Sequence, residues 1–526
     1  MTNFNKKTLL ICFTIFATFS FSQNTKKTTD TPKWPIKQKT QKIQTHVKVL
    51  ASDSLEGREV GTVGELLAAD YISNYFQQIG ISPYKNSTYY QEFDLGSRDF
   101  DFAKIKIGHK RYFFGHDFFS FPKFGGVKIE SKDLVFLGYG IDSENYSDYT
   151  VDVQNKIIIV FDGEPTNTAG DFLVSGTEKP SPKSHYKEKL KTAKQRGAKA
   201  ILIIKDNLKR SYKSSIRHIN NPGVFLAEKN DPIPFFFIDK KMAKNLIGTK
   251  FLDSLKRNIT HTQKTITKYN NKQILIESQT KERFFTGKNI IGFVEGDDPQ
   301  LKNEIIVITA HYDHIGIIDG LIHNGADDNA TGTAALLEVA ESFQNAKKTG
   351  KKFKRSILFL PNSAEEKGLL GSYYYVENPI FPLENTITCL NVDMIGRPDK
   401  NHPNDSNYVY LIGSDKLSTD LHSISEKTNN QQVNLNIDYT YNDPNDPNRF
   451  YYRSDHYNFA KKNIPSIFYF SGVHEDYHMN TDTYEKIIYE KVEKTARLIF
   501  YTAWNLANEP VRPRVDRQND FKQTRN

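Results

Sequence analysis

The stretch Ile305-Ile306-Val307-Ile308-Thr309-Ala310 runs without a break into His311-Tyr312-Asp313-His314. A short apolar run rich in β-branched residues predicts a buried strand, so the two histidines follow its carboxyl end. Two further predicted strands end in the same way: Ser356 to Leu360 leads to Glu365-Glu366, and Ile387 to Val392 ends at Asp393. Such strands alternate with helical segments from residue 289 onward, which indicates an α/β layered fold with a largely parallel sheet.

The carboxyl ends of neighbouring parallel strands meet at one edge of a sheet, where ligands collect. We therefore expect His311, the glutamate pair and Asp393 to lie close together. The segment Gly325-Ala326-Asp327-Asp328-Asn329, which leads into a predicted helix from Thr331, adds further carboxylates. Taken singly, an aspartate before a helix is commonly an N-cap and a glutamate pair after a strand is commonly a solvated turn. Four such segments together favour a metal site.

The residue types suit a pair of zinc ions. Zinc accepts imidazole nitrogens and carboxylate oxygens, and two ions about 3.5 to 4 Å apart need a carboxylate that bridges them. Asp327 is predicted to be that bridge, and Asp313 is predicted to hydrogen-bond the ring nitrogen of His311 that faces away from the metal. Consecutive side chains of an extended segment point to opposite sides. We therefore assign Glu366 to a metal ion and Glu365 to the water molecule.

Charge balance is consistent with this assignment. Two divalent ions carry four positive charges, which three carboxylates (Asp327, Glu366 and Asp393) and one bridging hydroxide would neutralise. Metal coordination lowers the pKa of water toward about 7, so such a hydroxide is stable near neutral pH. Glu365 is expected to act as the general base and to deliver the proton to the leaving amine.

Six motifs occur in order in the second half of the chain: Ala310-His-Tyr-Asp-His-Ile-Gly316, Asn324-Gly-Ala-Asp-Asp-Asn-Ala-Thr-Gly332, Ser363-Ala-Glu-Glu-Lys-Gly368, Asn391-Val-Asp-Met-Ile-Gly396, Arg453-Ser-Asp-His-Tyr457 and Tyr477-His-Met-Asn-Thr-Asp-Thr483. Together they resemble the M28 metallopeptidases, a family of secreted leucyl aminopeptidases and glutamate carboxypeptidases. The resemblance implies a three-layer αβα sandwich around a mixed, mostly parallel sheet. It also implies a peptide substrate and two Zn²⁺ or similar divalent ions as cofactors.

The resemblance assigns metal ligands as well. It implies that His311 and Asp393 hold one ion, that Glu366 and His478 hold the other, and that both ions share Asp327. His478 enters this set through the resemblance alone, because no spacing argument reaches it.

Three more residues receive roles from the resemblance. Asp328 corresponds to the residue that follows the bridging aspartate across a cis peptide bond. Tyr451 is implied to stabilise the tetrahedral intermediate, and the neighbouring Tyr452 is the alternative for that role.

The leading functional hypothesis is an aminopeptidase that removes N-terminal residues. A glutamate-carboxypeptidase-like dipeptidase is the alternative on the same scaffold, because Arg397 or Arg453 could bind a substrate carboxylate. Glutaminyl cyclisation generally uses one zinc and fits the complete aspartate motif less well. A non-catalytic, receptor-like homologue is disfavoured, since the implied ligands and base are all present.

Between these motifs and the N-terminus lies a stretch of short β-rich runs, including Leu134 to Leu137, Ile157 to Phe161 and Ala200 to Ile204, with one predicted helix from Tyr186 to Arg196. It resembles a protease-associated (PA) domain, which implies a lid or substrate-access role. The predicted division is a signal peptide (1–22), a polar leader (23–40), the N-terminal part of the peptidase domain (41–105), an inserted PA-like domain (106–279), the catalytic M28 peptidase domain (280–508) and a polar tail (509–526).

The N-terminus predicts export. A basic start, an apolar run from Leu9 to Phe21 and small residues near Ser22 are typical of a cleavable signal peptide, so a secreted or periplasmic protein is expected. The run is shorter than the roughly 20 residues that span a bilayer, so no stable membrane insertion is expected, and lipid anchoring at Cys12 is a minor alternative. Once Cys12 is removed, Cys389 alone is left and is predicted to be a buried structural thiol.

The formal net charge of +9 is distributed over many lysines. It does not form one cluster with interleaved aromatic residues, so binding of nucleic acid is not expected. The sequence makes no prediction of oligomeric state.

Overall fold

Helices and strands are defined in a computed structural model that describes residues 31–84, 88–220, 223–227, 232–248 and 252–518. The predicted signal peptide (1–22), residues 23–30 of the predicted leader and residues 519–526 of the predicted tail lie outside the described residues. The α-helices are α1 (Ile36–Leu50), α2 (Val63–Ile79), α3 (Tyr186–Gln195), α4 (Leu208–Asn220), α5 (Lys240–Ile247), α6 (Leu252–Thr262), α7 (Gly332–Lys348), α8 (Leu370–Glu377), α9 (Thr419–Gln432), α10 (His456–Ala460) and α11 (Tyr489–Asn508). Within these ranges, no helix combines the length and the apolar character needed to cross a membrane.

The β-strands of the described residues are β1 (Tyr90–Ile107), β2 (Lys110–Phe113), β3 (Phe118–Phe119), β4 (Val127–Ser131), β5 (Leu134–Leu137), β6 (Ile157–Phe161), β7 (Ala200–Ile204), β8 (Val224–Leu226), β9 (Phe235–Ile238), β10 (Thr267–Asn270), β11 (Ile274–Ile290), β12 (Gly292–Val294), β13 (Ile305–His311), β14 (Ile317–Ile318), β15 (Leu321–Ile322), β16 (Ser356–Asn362), β17 (Thr386–Val392), β18 (Tyr408–Ile412), β19 (Asn436–Asp438) and β20 (Ser466–Phe470). They form two large sheets, one smaller sheet around β1 and β11, and the hairpin β14–β15.

The second half of the chain is organised by a seven-stranded sheet in the order β12-β16-β13-β17-β20-β18-β19. The four strands β16, β13, β17 and β20 are parallel. The strand β12 is antiparallel to β16 and β18 is antiparallel to β20, whereas β19 at the edge is parallel to β18. Every residue of β13, β16 and β17 is buried, which accounts for their nearly continuous apolar sequences. The predicted mixed, mostly parallel sheet is confirmed.

Helices cover both faces of this sheet. On β13, Ile306 and Ile308 pack in the cluster that contains α1, α2, α7 and α11, whereas Ile305 and Val307 pack on the opposite face with α8 and α10. This alternation follows from the two-residue period of a strand. The result is the three-layer αβα sandwich that was expected. Cys389 of β17 is a buried free thiol on the second face, as predicted.

The first two helices enclose a turn that reaches the interior of the sandwich. The helix α1 begins at Ile36, and α2 ends at Gly80, whose φ of 86° is left-handed. The Thr62 side chain caps α2 at the backbone N–H of Glu65. Between the helices, a 3₁₀ turn over Asp53–Arg58 directs the Arg58 side chain inward, where it is fully buried.

Two long strands carry the chain to the middle segment and back. The strands β1 and β11 pair antiparallel from Tyr90–Ile290 to Ile107–Ile274, and β2, β4 and β8 complete a five-stranded sheet. Beyond them, the six-stranded sheet β10-β5-β6-β7-β9-β3 has its own apolar cluster with helices α3 to α6. The predicted strands correspond to β5, β6 and β7, and the predicted helix to α3. The division into domains remains a prediction.

Candidate metal centre

Ligand-type side chains meet at the carboxyl edge of the seven-stranded sheet. His311 is the last residue of β13, the glutamate pair Glu365-Glu366 follows β16, and Asp393 follows β17. Because β16, β13 and β17 are adjacent and parallel, their ends deliver these side chains to one place. The turn before α7 contributes Asp328, and the loop after β20 contributes His478. The segment that carries His478 lies at the same place as the other side chains, although it is distant from them in the sequence.

These side chains form two adjacent groups that could each hold a metal ion. One group consists of His311, Glu365 and Asp393, and the other of His314, Asp328, Glu366 and His478. Within each group the candidate ligand atoms all lie within 4.8 Å of one another. The Nε2 atom of His311 is 3.3 Å from Oδ1 of Asp393, and Nε2 of His478 is 3.1 Å from Oε1 of Glu366.

Asp328 lies between the two groups. Its Oδ1 is 3.4 Å from Nε2 of His311, and its Oδ2 is 3.1 Å from Nε2 of His478. One carboxylate therefore presents a different oxygen to a histidine of each group, as a bridge between two cations requires. The cis peptide bond joins Asp328 to the following Asn329.

The predicted bridge, Asp327, points elsewhere. Its Oδ1 accepts hydrogen bonds from Oγ1 of Thr331 at 3.0 Å and from the N–H of Gly396 at 2.6 Å. Its Oδ2 lies 3.2 Å from Nε2 of His474. Consecutive side chains in this turn point in different directions, so the prediction of Asp327 as the bridge was wrong by one residue. The cis bond that was expected before Asp328 is displaced by the same one residue.

Buried contacts hold the turn that carries Asp328. The carboxylate of Asp482 accepts hydrogen bonds from the backbone N–H groups of Asp327 at 3.0 Å and Asp328 at 3.1 Å. Burial, reinforced by the charge of Asp327, raises the pKa of Asp482 to about 6. Asp482 was not singled out from the sequence, although it lies in the same motif as the predicted ligand His478.

Arg58 fastens the segments on either side of the cluster. Its guanidinium donates hydrogen bonds to four buried backbone carbonyls: Leu50, Tyr312 at 2.7 Å, Asn324 at 2.6 Å and Gly325 at 2.9 Å. Burial lowers its pKa to about 10, so it stays charged at neutral pH, facing the negative field of Asp313 and Asp328. Arg58 was given no role in the sequence analysis.

The orientation of the glutamate pair depends on Asp313. Its carboxylate accepts the backbone N–H of Glu365 at 3.1 Å and that of Glu366 at 3.3 Å. The Nδ1 of His311 donates to the backbone carbonyl of Asp313 at 3.1 Å, whereas the nearest carboxylate oxygen is 3.7 Å away. The expected bond from the Asp313 carboxylate to the ring is therefore replaced by one from its carbonyl. Nε2 of His311 faces Asp328 and Asp393. With the proton of a neutral ring held on Nδ1 by this carbonyl, Nε2 would be the nitrogen available to a metal ion.

The chemistry of this donor set fits divalent cations. Oδ1 of Asp393 and Nε2 of His478 are buried and, among the described residues, have no hydrogen-bond partner of acceptable geometry. Burying such atoms unpaired is costly, and a bound cation would satisfy them. Burial, together with the charges of Glu366 and Asp455, holds the pKa of Glu365 well above its usual value. Positive charge at the two groups would oppose that shift and favour the ionised base.

A cavity opens over the cluster. Its polar side is formed by Asp328, Glu365, Glu366, Asp393 and His478, and its other side mainly by apolar residues: Met394, Phe450, Phe468, Phe470, Val473 and Tyr477, with Arg453 among them. The site therefore offers a charged floor for reaction and an apolar wall for a substrate side chain.

The predicted tyrosine is placed outside this cavity. Tyr451 and Tyr452 line an adjacent cavity with Lys416. Tyr477 lines the cavity over the cluster, where its ring stacks on that of His478 with centroids 3.9 Å apart. Its hydroxyl accepts a hydrogen bond from Arg453 at 3.4 Å. Its position directly before a predicted ligand was the only sequence signal for it.

At the carboxyl edge of an αβα sheet, two histidine–carboxylate groups that share an aspartate define the class of metal-dependent hydrolases. The family model described as Peptidase family M28 matches residues 289–503, the range that contains every member of both groups. Residues 289–503 thus match peptidase family M28, as the six motifs led us to expect, and the chain is a metallopeptidase.

Several known proteins are similar to this chain. Aminopeptidase YwaD of Bacillus subtilis (strain 168) is 23% identical over 410 residues, which cover 74% of this chain and 71% of that protein. Leucine aminopeptidase 2 of Arthroderma otae is 25% identical over 289 residues, 50% of this chain and 51% of its own length. The chain thus spans about half the length of that fungal relative. A solved aminopeptidase from Aneurinibacillus sp. strain AM-1 covers 92% of this chain and 97% of its own, with 19% identity and a TM-score of 0.49.

Proposed function

We propose that this chain is a dinuclear zinc aminopeptidase that hydrolyses N-terminal residues from peptides. In this proposal His311 and Asp393 hold one ion, Glu366 and His478 hold the other, and Asp328 bridges them. The observation that carries the proposal is the position of Asp328, whose two oxygens face histidines of different groups. The names of the relatives, which include an aminopeptidase and a leucine aminopeptidase, support the same activity.

Bound zinc ions would polarise the scissile carbonyl and acidify a water molecule. The remaining chemistry belongs to the side chains. Glu365 lines the cavity over the two groups, and its backbone is held by Asp313. It is therefore placed to take a proton from the attacking water and to give it to the leaving amine. The carboxylates of Glu365, Glu366 and Asp328 would also attract the protonated N-terminus of a peptide.

Tyr477 is proposed as the residue beside the reacting carbonyl in place of Tyr451. It lines the cavity over the cluster, and it is held between the ring of His478 and the guanidinium of Arg453. A phenol at this position can donate a hydrogen bond to an oxyanion.

A second candidate, a carboxypeptidase-like dipeptidase, is favoured by one observation. Arg453 lines the cavity and could pair with a substrate carboxylate. The apolar wall formed by Phe450, Phe468 and Phe470 suits an uncharged side chain, so we place this candidate second.

The two candidates are separated by substrates that each lack one end group. Purified zinc-loaded protein is incubated with leucine amide, which has a free amine and no carboxylate, and with N-acetylated dipeptides, which have the reverse. Turnover of leucine amide alone supports the aminopeptidase, and turnover of the acetylated dipeptide alone supports the alternative. No turnover of either by fully metal-loaded protein would contradict both and favour a receptor-like homologue. The chelator-treated chain and Glu365→Gln serve as controls in each assay.

Metal analysis tests the number and identity of the ions. The proposal expects two zinc ions to bind per chain at saturation, and saturation at one ion would contradict the dinuclear centre. The Asp327→Asn variant is the matched control, because Asp327 is adjacent in sequence but points away from both groups.

Two wider features are also proposed. The N-terminal sequence supports export, and determination of the mature N-terminus near Ser22 would test it. The separate sheet and apolar cluster of the middle segment support an inserted PA-like domain over residues 106–279, with a substrate-access role. Comparing turnover of leucine amide and of long peptides after substitutions in that segment would test the role.

A further inference from the structure

We propose that His314 is a fourth protein ligand of the ion held by Asp328, Glu366 and His478, so that the two metal positions bind ions with unequal affinity. This inference rests on the proposed metal centre and refines it. Sequence reasoning left His314 without a role, and the six-motif resemblance assigns only one histidine of the pair His311 and His314.

The distances around His314 match those of a ligand shell. Its Nδ1 is 2.9 Å from Oε1 of Glu366 and 3.8 Å from Oδ2 of Asp328. Nε2 of His478 is 3.1 Å from each of the same two oxygens. Donor atoms about 2.0 to 2.2 Å from a tetrahedral zinc lie roughly 3.4 Å from one another. The four separations scatter around that value, so one ion can contact all four side chains after small shifts.

The ring of His314 is fixed in this position by its surroundings. The side chain is fully buried, and its backbone N–H donates to the carbonyl of Arg58 at 3.2 Å. A Cβ atom on Gly325 would come within 2.5 Å of the ring, so only glycine allows the turn that carries Asp328 to pack against it. Arg58 binds the carbonyl of Gly325 and thereby joins both sides of this contact. The imidazole is therefore preorganised before any ion arrives.

The other position is less completely surrounded. His311, Asp393 and the Oδ1 atom of Asp328 supply three protein ligands there, because Glu365 is required as the base. A zinc position with four protein ligands is closed, whereas one with three keeps a place for water or substrate. We therefore expect the His314 position to fill first and tightly, and the His311 position to fill second and more weakly.

A simpler role for His314 would be to donate a hydrogen bond to Glu366 and so orient it. The two roles differ in what a glutamine can replace. The substitution His314→Gln retains an N–H donor for Glu366 but provides only a poor zinc ligand. A positioning role is therefore rescued by His314→Gln, and a ligand role is not.

The test titrates the metal-free chain with Co²⁺ and follows binding by calorimetry and visible absorption, whose intensity reports the coordination geometry. The wild type should show two sequential events. In His314→Gln the tighter event should weaken by more than about a hundredfold, beyond the range of outer-shell substitutions. The matched variant His311→Gln should weaken the second event and leave the first. Retention of the first event within tenfold and of its spectrum in His314→Gln would overturn the inference.

A measurement on the wild type keeps the inference testable if a variant does not fold. X-ray absorption of the chain loaded with one equivalent of zinc should show two imidazoles on the metal, from His314 and His478. One imidazole would overturn the role of His314 while leaving a metal centre intact. A chain that binds no Co²⁺ or zinc at all would overturn both this inference and the proposed function.

Discussion

The carboxylate of Asp313 accepts a hydrogen bond from the backbone N–H of Glu365 at 3.1 Å. Because the same carboxylate also accepts from Glu366, one buried acid sets the direction of both glutamates as the chain leaves β16. Burial raises the pKa of Asp313 to about 8, which two cations nearby would counteract. The proposed base and a proposed metal ligand are thus positioned by one carboxylate that binds their backbone.

We expect Glu365→Gln to lower kcat by about 10² to 10⁴, the usual contribution of a general base, without loss of bound zinc. The glutamine keeps the size and the backbone contact to Asp313 but cannot accept the proton. Steady-state kinetics with leucine amide and zinc analysis of the same sample measure both quantities. Activity within tenfold of the wild type would show that another group is the base.

Asp328→Asn and Asp327→Asn form a matched pair of adjacent substitutions. Asp328→Asn leaves one oxygen in place of two, so we expect the zinc content to fall below two per chain and the activity to fall with it. Asp327→Asn should keep two zinc ions, because Asp327 contacts Thr331, Gly396 and His474 instead. Elemental analysis after dialysis checks this, and the reverse outcome would restore Asp327 as the bridge.

Arg58→Lys should destabilise the chain by about 3 to 5 kcal/mol, as expected when a buried charge loses its partners. A lysine has a compact ammonium group and cannot serve four carbonyls that are spread around a planar guanidinium. Denaturant unfolding monitors the free energy, and metal titration should show weaker binding. Arg196→Lys is the control: that arginine is half exposed beside Asp142, so its change should cost less than about 1 kcal/mol.

The buried carboxylate of Glu338 predicts an acid limit of stability. Burial alone would raise its pKa, but His46 and Lys39 outweigh burial and hold it at about 2. The pKa of this glutamate in the unfolded chain is 4.5, so as the pH falls the carboxylate is protonated in the unfolded chain before it is protonated in the folded chain. The lowered pKa of Glu338 therefore contributes about 3 kcal/mol to the free energy of unfolding. This contribution is complete above pH 4.5 and is lost between pH 4.5 and 2.

Unfolding by denaturant at a series of pH values measures this contribution. Glu338→Gln removes the titrating group, so its stability should change less than that of the wild type over the same pH window. Parallel pH profiles of the two chains would contradict the assignment.

Lys189 tests the middle segment separately from the metal centre. Its ammonium donates to the carbonyls of Tyr139 at 2.7 Å, Phe161 at 2.9 Å and Gly163 at 2.6 Å. Lys189→Met leaves these carbonyls without their shared donor, which should cost roughly 3 kcal/mol or more. We expect a lower unfolding temperature for the middle segment, with unchanged zinc content and unchanged hydrolysis of leucine amide. Loss of zinc in this variant would show that the two parts are not independent.

Sequence reasoning located the metal-side edge of the sheet because its signals are local. The strands before His311, Glu365 and Asp393 are short runs of β-branched and aliphatic residues. Such runs are typical of parallel strands that are buried on both faces. It missed the bridge by one residue because the turn from Ala326 to Thr331 is set by distant partners. Asp482, more than a hundred residues away, holds this turn by accepting the backbone N–H groups of both aspartates, in the conformation in which Asp328 faces the two groups.

The roles of Asp313 and Tyr477 were missed or misassigned for a similar reason. A carboxylate two residues after a ligand histidine can reach the ring or turn to a neighbouring loop, and only the packed position of the Glu365 backbone decides. The strand β18 was not included in the sequence analysis, although its run Tyr408-Val-Tyr-Leu-Ile412 has the aromatic and β-branched residues that are typical of a buried strand.

The antiparallel pairing of β1 and β11 has a consequence for how this architecture varies. The chain departs from the sandwich at Tyr90 and re-enters it at Ile290, which is the residue paired with Tyr90. Adjacent strands are about 4.8 Å apart. A tight reverse turn could therefore join these two positions, and segments of different length can be inserted between them while both ends of the insertion stay side by side at the same place on the sandwich.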